Sequence, residues 1–294
     1  MLNAIYIKNL FVKNFMFDIE MECFLFFCLQ FCECFIERNV LFYKENMMKD
    51  WVVGKVVNLK HWNEYLFTLI INASIKHFIA GQFTKLGMII DGKRVFRAYS
   101  YVNSPDDSNL EFYLINVKNG KLSSCLHSLK IGEEIMVRER ASGFFVLDSI
   151  PYCKNLWMLA TGTAIGPYLS ILRHSIGLNR FQNIVLVHAV RFFKDLSYLS
   201  NMFFLQKKLN NLKIQTIVSR EKCSGSLMGR IPNLILEGTL ESKVNISLNS
   251  QDSHVMLCGN PYMIQSTRVL LENTRGMKRN LKNSPGNITT EQYW

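Results

Sequence analysis

Apolar positions recur along this chain with two different periods, and the change falls near residue 150. In the first half they fall in the short runs 51–57, 66–71, 83–90, 97–102, 110–117 and 133–138, with no long helical pattern, as successive short strands do. Asp91-Gly92, Asn119-Gly120 and Ile131-Gly132 punctuate these runs as turns. One helix is expected there, over 123–130. Many short strands at this spacing predict a small antiparallel β-barrel. In the second half, the runs 156–160, 184–190, 214–219 and 254–258 are apolar on both faces, as strands buried within a parallel sheet are. Helical stretches at 167–173, 199–209 and 261–271 separate them, and Pro167 and Pro261 suit a first helical turn. The fold class predicted is an antiparallel β-barrel over 49–148 followed by a doubly wound parallel α/β sheet over 149–294, whose ligands belong beyond the carboxyl ends of its strands.

Residues 1–48 share neither period. Cys23 to Cys32 is an apolar run broken only by Gln30, about ten residues, where a bilayer span needs roughly 20. Glu20 and Glu22 sit where a secretory signal would be basic or apolar. We expect this stretch to be an appendage, non-native or disordered, with Met48, less favourably Met47, as the functional start. Four of the eight cysteines fall in it (Cys23, Cys28, Cys32, Cys34); the others are scattered singly, without metal-binding or disulfide spacing. A reduced, cytoplasmic setting and no metal are the expectation. The formal net charge is +11, and because residues 1–49 hold more acidic than basic groups, the whole excess lies in residues 50–294. Nucleic acid, an anionic membrane surface, a phosphorylated cofactor and an acidic protein all fit that charge.

Arg97-Ala98-Tyr99-Ser100 puts a fixed cation, an aromatic face and a small hydroxyl into one strand, with Arg97 and Tyr99 on one face and Ala98 and Ser100 on the other. Guanidinium pairs with phosphate and phenol stacks on a ring, so a flavin dinucleotide suits the segment; a plain amphipathic strand with a surface arginine fits these four residues as well. Gly120 and Lys121, ahead of the expected helix, offer backbone amides and a cation to an anion. After the first parallel strand come Thr161, Gly162, Thr163, Ala164, Ile165, Gly166 and Pro167, a turn open enough for a pyrophosphate, though it departs from G-x-G-x-x-G. The Gly-Lys-Ser/Thr phosphate loop is missing, which argues against a nucleoside triphosphatase. Arg191 follows the second strand; Ser219 and Arg220 follow the third, with Arg230 ten residues on. Arginines there suit a ribose 2′-phosphate better than a free hydroxyl, or are ordinary surface arginines of a basic protein. Cys258, Gly259, Asn260 and Pro261 close the fourth strand, and His188 and His254 lie inside strands as core residues.

Taken in order, the Arg-x-Tyr-Ser segment, the Ala-Thr-Gly-Thr-Ala-Ile-Gly-Pro loop, the Cys-Gly-Asn-Pro turn and the Tyr-Trp carboxyl terminus resemble those of the bacterial flavodoxin/ferredoxin–NADP reductases, over residues 51–294. The resemblance implies an FAD-binding barrel and an NADP-binding α/β domain. It implies that Arg97 pairs with the FAD pyrophosphate, that Tyr99 stacks on the flavin beside Ala98, and that Ser100 hydrogen-bonds near the hydride-accepting nitrogen. Lys121, Leu122 and Ser123 would hold the pyrophosphate, Thr163 would lie close to both cofactors, and Trp294 would stack on FAD. Thr161, Gly162, Gly259 and Asn260 would border NADP, with Arg191, Ser219, Arg220 and Arg230 at its 2′-phosphate and Cys258 by the nicotinamide. The activity implied is electron transfer from NADPH through FAD to an acidic flavodoxin or ferredoxin, by a monomer with no nucleic-acid partner and no stable membrane insertion. The late basic residues Arg275, Lys278, Arg279 and Lys282 are candidates for the carrier-facing surface or a solvated helix end. A free-flavin or oxygenase-coupled reductase on the same frame and a basic nucleic-acid-binding protein are the alternatives. The first lacks an attached iron–sulfur cysteine pattern and the second a recognisable module.

Overall fold

The computed structural model describes residues 50–293. The expected extension over 1–48, its start at Met48 and the stacking residue Trp294 lie outside them. Strands β1 (Trp51–His61), β2 (Leu66–Asn72), β3 (Phe83–Ile90), β4 (Lys93–Ser100), β5 (Leu110–Ile115) and β6 (Glu134–Arg138) form an antiparallel sheet of order β4-β3-β6-β1-β2-β5. Its two edge strands meet at one end only, where Tyr101 bridges to Phe112 and the Val102 amide donates to the Glu111 carbonyl at 2.9 Å. Tyr101 is fully buried there, its ring stacked on Phe78 at 3.8 Å between centroids. Burying that ring closes the barrel at residues 101–102 and leaves the outer edge of β4 open through Arg97, Ala98 and Tyr99.

β4 begins four residues before the expected 97. Asp91 (φ 51°) and Gly92 (φ 68°) are both left-handed, the conformation of a two-residue hairpin turn, and they fix pairing from Ile90–Lys93 through to Phe83–Ser100. Lys93 and Arg94 had hidden this because edge strands carry charged side chains that guard the unpaired edge, and two in a row break the apolar alternation. The helix expected over 123–130 is α1 (Lys121–His127). The Ser123 hydroxyl, instead of opening the helix, bonds the Val117 amide at 3.1 Å, and the Ser128 hydroxyl takes up the Ser124 and Cys125 carbonyls and ends it.

The second sheet is parallel: β7 (Asn155–Thr161), β8 (Asn183–Val190), β9 (Leu212–Val218), β10 (Leu227–Met228), β11 (Ser253–Gly259) and β12 (Ile288–Gln292), in the order β10-β9-β8-β7-β11-β12. Helices α2 (Gly166–His174), α3 (Leu199–Lys208), α4 (Ile231–Leu236), α5 (Thr239–Val244) and α6 (Pro261–Arg275) cover it. Along β7, Leu156 and Met158 join a core with Leu169, Leu172 and Met202, while Trp157 and Leu159 join another with Ile231, Ile235 and Leu271, so both faces are buried. The first core also takes in Leu66, Val102, Tyr113 and Phe145 from the barrel side, so the two sheets share one apolar interface. β10, α4, α5 and β12 had no counterpart in the pattern: each is short, and β12 reads Ile-Thr-Thr-Glu-Gln, an edge strand with one strongly apolar residue.

Candidate functional site

The strand order reverses direction between β7 and β11, the switch point beyond whose carboxyl strand ends open α/β sheets place their ligand crevice. The chain after each strand is shaped by the other. Gly259 has φ 127°, and a Cβ there would come within 2.1 Å of the Thr161 hydroxyl, so only glycine lets the two strand ends meet. The Asn260 amide donates to that hydroxyl at 2.9 Å, and the Asn260 side chain accepts from Tyr262 and Met263 to start α6. Gly162 is left-handed (φ 56°) with open space where a side chain would stand. Its carbonyl accepts from Nε2 of the buried His188, whose pKa burial lowers to about 4, so the ring stays neutral and holds the turn. His254 is a core residue as expected, bonded to Thr289 at 2.9 Å. Thr163 is buried directly behind the turn.

β12 carries the carboxyl-terminal strand to the barrel. Cys258 and Glu291 are register partners on β11 and β12, and the Ser100 hydroxyl, at the end of β4, donates to Glu291 at 3.2 Å. Desolvation raises the Glu291 carboxyl from its ordinary 4.5 to about 7, so it is half protonated near neutrality. The Cys258 thiol is fully buried and pushed well up by burial and by the Glu291 charge; it stays a neutral thiol rather than a nucleophile. Tyr293 joins the group, its phenol likewise raised by burial. Glu291 was not among the residues singled out in the sequence; its signal was a lone carboxylate in an otherwise uncharged carboxyl-terminal strand.

Arg97 and Ala98 are exposed on the free edge of β4, and Tyr99 is half-buried, its phenol raised to about 12 chiefly by desolvation. α1 packs against β3 and β4, with Lys121 exposed, Leu122 in the barrel core and Ser123 buried. A polyanion with a flat ring fits this surface: Arg97 and Lys121 supply cations, no acidic group lies in the first turn of α1, and Ala98 leaves the backbone open. At the far side of the crevice, Val190, Val218 and Met228 stand in register on β8, β9 and β10, so the exposed Arg191, Arg220 and Arg230 leave neighbouring strand ends. The Arg220 amide donates to the Arg191 carbonyl at 3.0 Å, and Ser219 bonds the Val190 carbonyl through its amide and hydroxyl. Of the late basic residues, Arg275 is committed to Glu241 at 2.9 Å, and Lys278, Arg279 and Lys282 are exposed.

A barrel with a free, cationic edge abutting the switch point of a parallel sheet is the frame of a two-domain flavin-dependent nicotinamide oxidoreductase. Two family models match in that order, the oxidoreductase FAD-binding domain over residues 55–143 and the oxidoreductase NAD-binding domain over 158–269. The chain is 57% identical over 248 residues to the flavodoxin/ferredoxin–NADP reductase of Escherichia coli (strain K12), covering 84% of this chain and all of that one. It is 31% identical to the ferredoxin–NADP reductase of Pseudomonas aeruginosa, over 76% of this chain and 90% of that protein. Among solved structures, a ferredoxin NADP+ reductase from Neisseria gonorrhoeae with bound FAD and NADP superposes with a TM-score of 0.80 at 29% identity, over 83% of this chain and 99% of that one. The chain belongs to the flavodoxin/ferredoxin–NADP reductase family, and it is an oxidoreductase that uses FAD and NADP.

Proposed function

We propose that the chain transfers electrons between NADPH and an acidic carrier protein, a flavodoxin or a ferredoxin, as a cytoplasmic monomer, with FAD held by residues 49–148 and NADP by residues 149–294. FAD, when bound, would supply two-electron hydride chemistry toward NADPH and one-electron chemistry toward the carrier. The meeting of Ser100 with Glu291 at 3.2 Å carries the reading, because it joins the open edge of the barrel to the strand ends of the parallel sheet.

Arg97 and Lys121, with the amides at the start of α1, would neutralise the FAD pyrophosphate; Tyr99, beside Ala98, would offer its ring to the flavin, and Leu122 and Ser123 fix the helix that would face it. Ser100 and the neutral Cys258 would flank the reacting edge, with Thr163 behind it. Glu291, poised near 7, holds or gives up a proton at its carboxyl oxygen facing Ser100. Thr161, Gly162, Gly259 and Asn260 seat the nicotinamide end of NADP and exclude water from it. Ser219, Arg191, Arg220 and Arg230 receive the 2′-phosphate, a dianion for which grouped guanidiniums suit better than scattered ones. Trp294 is assigned to stacking on FAD by family resemblance.

NADPH-dependent reduction of purified flavodoxin and ferredoxin, measured across salt concentration, tests this. The protein is expected to be yellow, and its rate with carrier to fall as salt rises past roughly 0.1 M, where the Debye length is about 10 Å. Arg191→Ala should raise the KM for NADPH roughly 10-fold and leave NADH nearly unchanged. A colourless protein that takes up no FAD, or equal losses for both nucleotides, contradicts these assignments.

A further inference from the structure

The turn that follows β8 is fastened to the other half of the molecule. Asp195 is buried at 7% exposure and closes the turn on itself: its Oδ2 accepts from the Phe192 amide at 3.3 Å, and its own amide donates to the Phe192 carbonyl at 3.0 Å. Its Oδ1 is satisfied entirely from the β1–β2 hairpin, by the Tyr65 hydroxyl and by Asn63 Nδ2 at 3.2 Å. A carboxylate that far out of water depends on those donors. Asn63 is itself fixed, because its Oδ1 accepts from the Tyr65 and Leu66 amides, and its Nδ2 also reaches the Lys194 carbonyl at 3.3 Å. On the opposite side the Phe193 amide donates to Glu221, next to Arg220. Arg191 therefore leaves β8 one residue before a turn held between the hairpin and the Arg220 loop. The Arg191 cation also acts on the Tyr65 phenol, opposing the upward push from burial and from Asp195. The exposed Lys194–Glu64 pair across the same junction adds little.

We infer that Tyr65 and Asn63, on the FAD-binding side, are specificity-positioning residues for NADP: by holding Asp195 they set the turn from which Arg191 meets the 2′-phosphate. The inference rests on the proposed role of Arg191. Losing the Tyr65 hydroxyl loosens the turn without touching the nicotinamide end, so the defect falls on nucleotide affinity and on the phosphate.

The experiment uses the FAD-loaded full chain, with NADPH or NADH as donor and ferricyanide as acceptor. Tyr65→Phe is expected to raise the KM for NADPH roughly 5- to 10-fold, less than the full worth of one bond to a charged group because Asn63 still donates to Asp195, with kcat within about twofold and the KM for NADH within about twofold. Asn63→Ala, which removes the longer bond at 3.2 Å, should do the same more weakly, and the flavin absorbance of both variants reports whether they fold. In an Arg191→Ala background, Tyr65→Phe should have no further effect on the NADPH/NADH ratio. If Arg191→Ala lowers that ratio and Tyr65→Phe and Asn63→Ala do not, the inference is wrong and the assignment of Arg191 stands. If Arg191→Ala itself leaves the ratio unchanged, the assignment fails and takes the inference with it. Additive losses in the double variant also overturn the inference.

Discussion

Replacing Glu291 by Gln tests the electrostatics of the site without changing its shape. The carboxyl is raised by burial from 4.5 to about 7. A group that binds its proton more tightly when folded stabilises the fold at low pH, and that contribution is lost as pH rises from 4.5 through 7. At about 1.4 kcal/mol for each pKa unit, the loss between pH 4 and pH 9 is at most about 3 kcal/mol, and water reaching the half-buried oxygens brings it to about 1–3 kcal/mol. Gln keeps an oxygen to accept the Ser100 hydroxyl and never ionises. Glu291→Gln should therefore match the parent's stability trend near pH 4 and gain on it progressively above pH 5, by about 1–3 kcal/mol at pH 9. For a protein of this size that is roughly 2–10 °C in melting temperature. Thermal melts of the FAD-loaded proteins from pH 4 to pH 9, followed by flavin fluorescence, give the two curves. Parallel curves would refute the raised pKa, and so would a variant that loses ground as pH rises.

Two further substitutions probe the frame. Gly259→Ala forces a Cβ to within 2.1 Å of the Thr161 hydroxyl at a φ of 127°; we expect a loss of about 2–4 kcal/mol, weaker NADPH binding and retained FAD, read by melting and titration. Arg173→Met breaks the pair with Glu111 that joins α2 to β5, leaving a carboxylate held only by the Tyr198 hydroxyl at 2.7 Å. It should cost about 3–5 kcal/mol in a denaturant melt, and the double variant Arg173→Met, Glu111→Leu should recover most of it.

Periodicity was enough to divide the barrel from the parallel sheet, because alternation and two-faced burial are local consequences of how strands point their side chains. The loops Thr161-Gly162 and Gly259-Asn260 were legible for the same reason: glycine where φ must be positive marks a turn without any partner. Strand edges were less so. Lys93 and Arg94 hid the start of β4, since charged side chains guarding an edge strand break the apolar alternation, and the polar strand β12 left no pattern. The tertiary structure alone decided what those polar residues do. Glu291 is an ordinary carboxylate until β12 pairs beside Cys258 and meets Ser100, and the loss of water there moves its pKa to about 7. Asp195 and Tyr65 lie 130 positions apart, and only the docking of the hairpin on the turn after β8 makes them partners. Sequence fixes which groups are available; burial and long-range contact set their charge and their company, and neither is a local property of the chain.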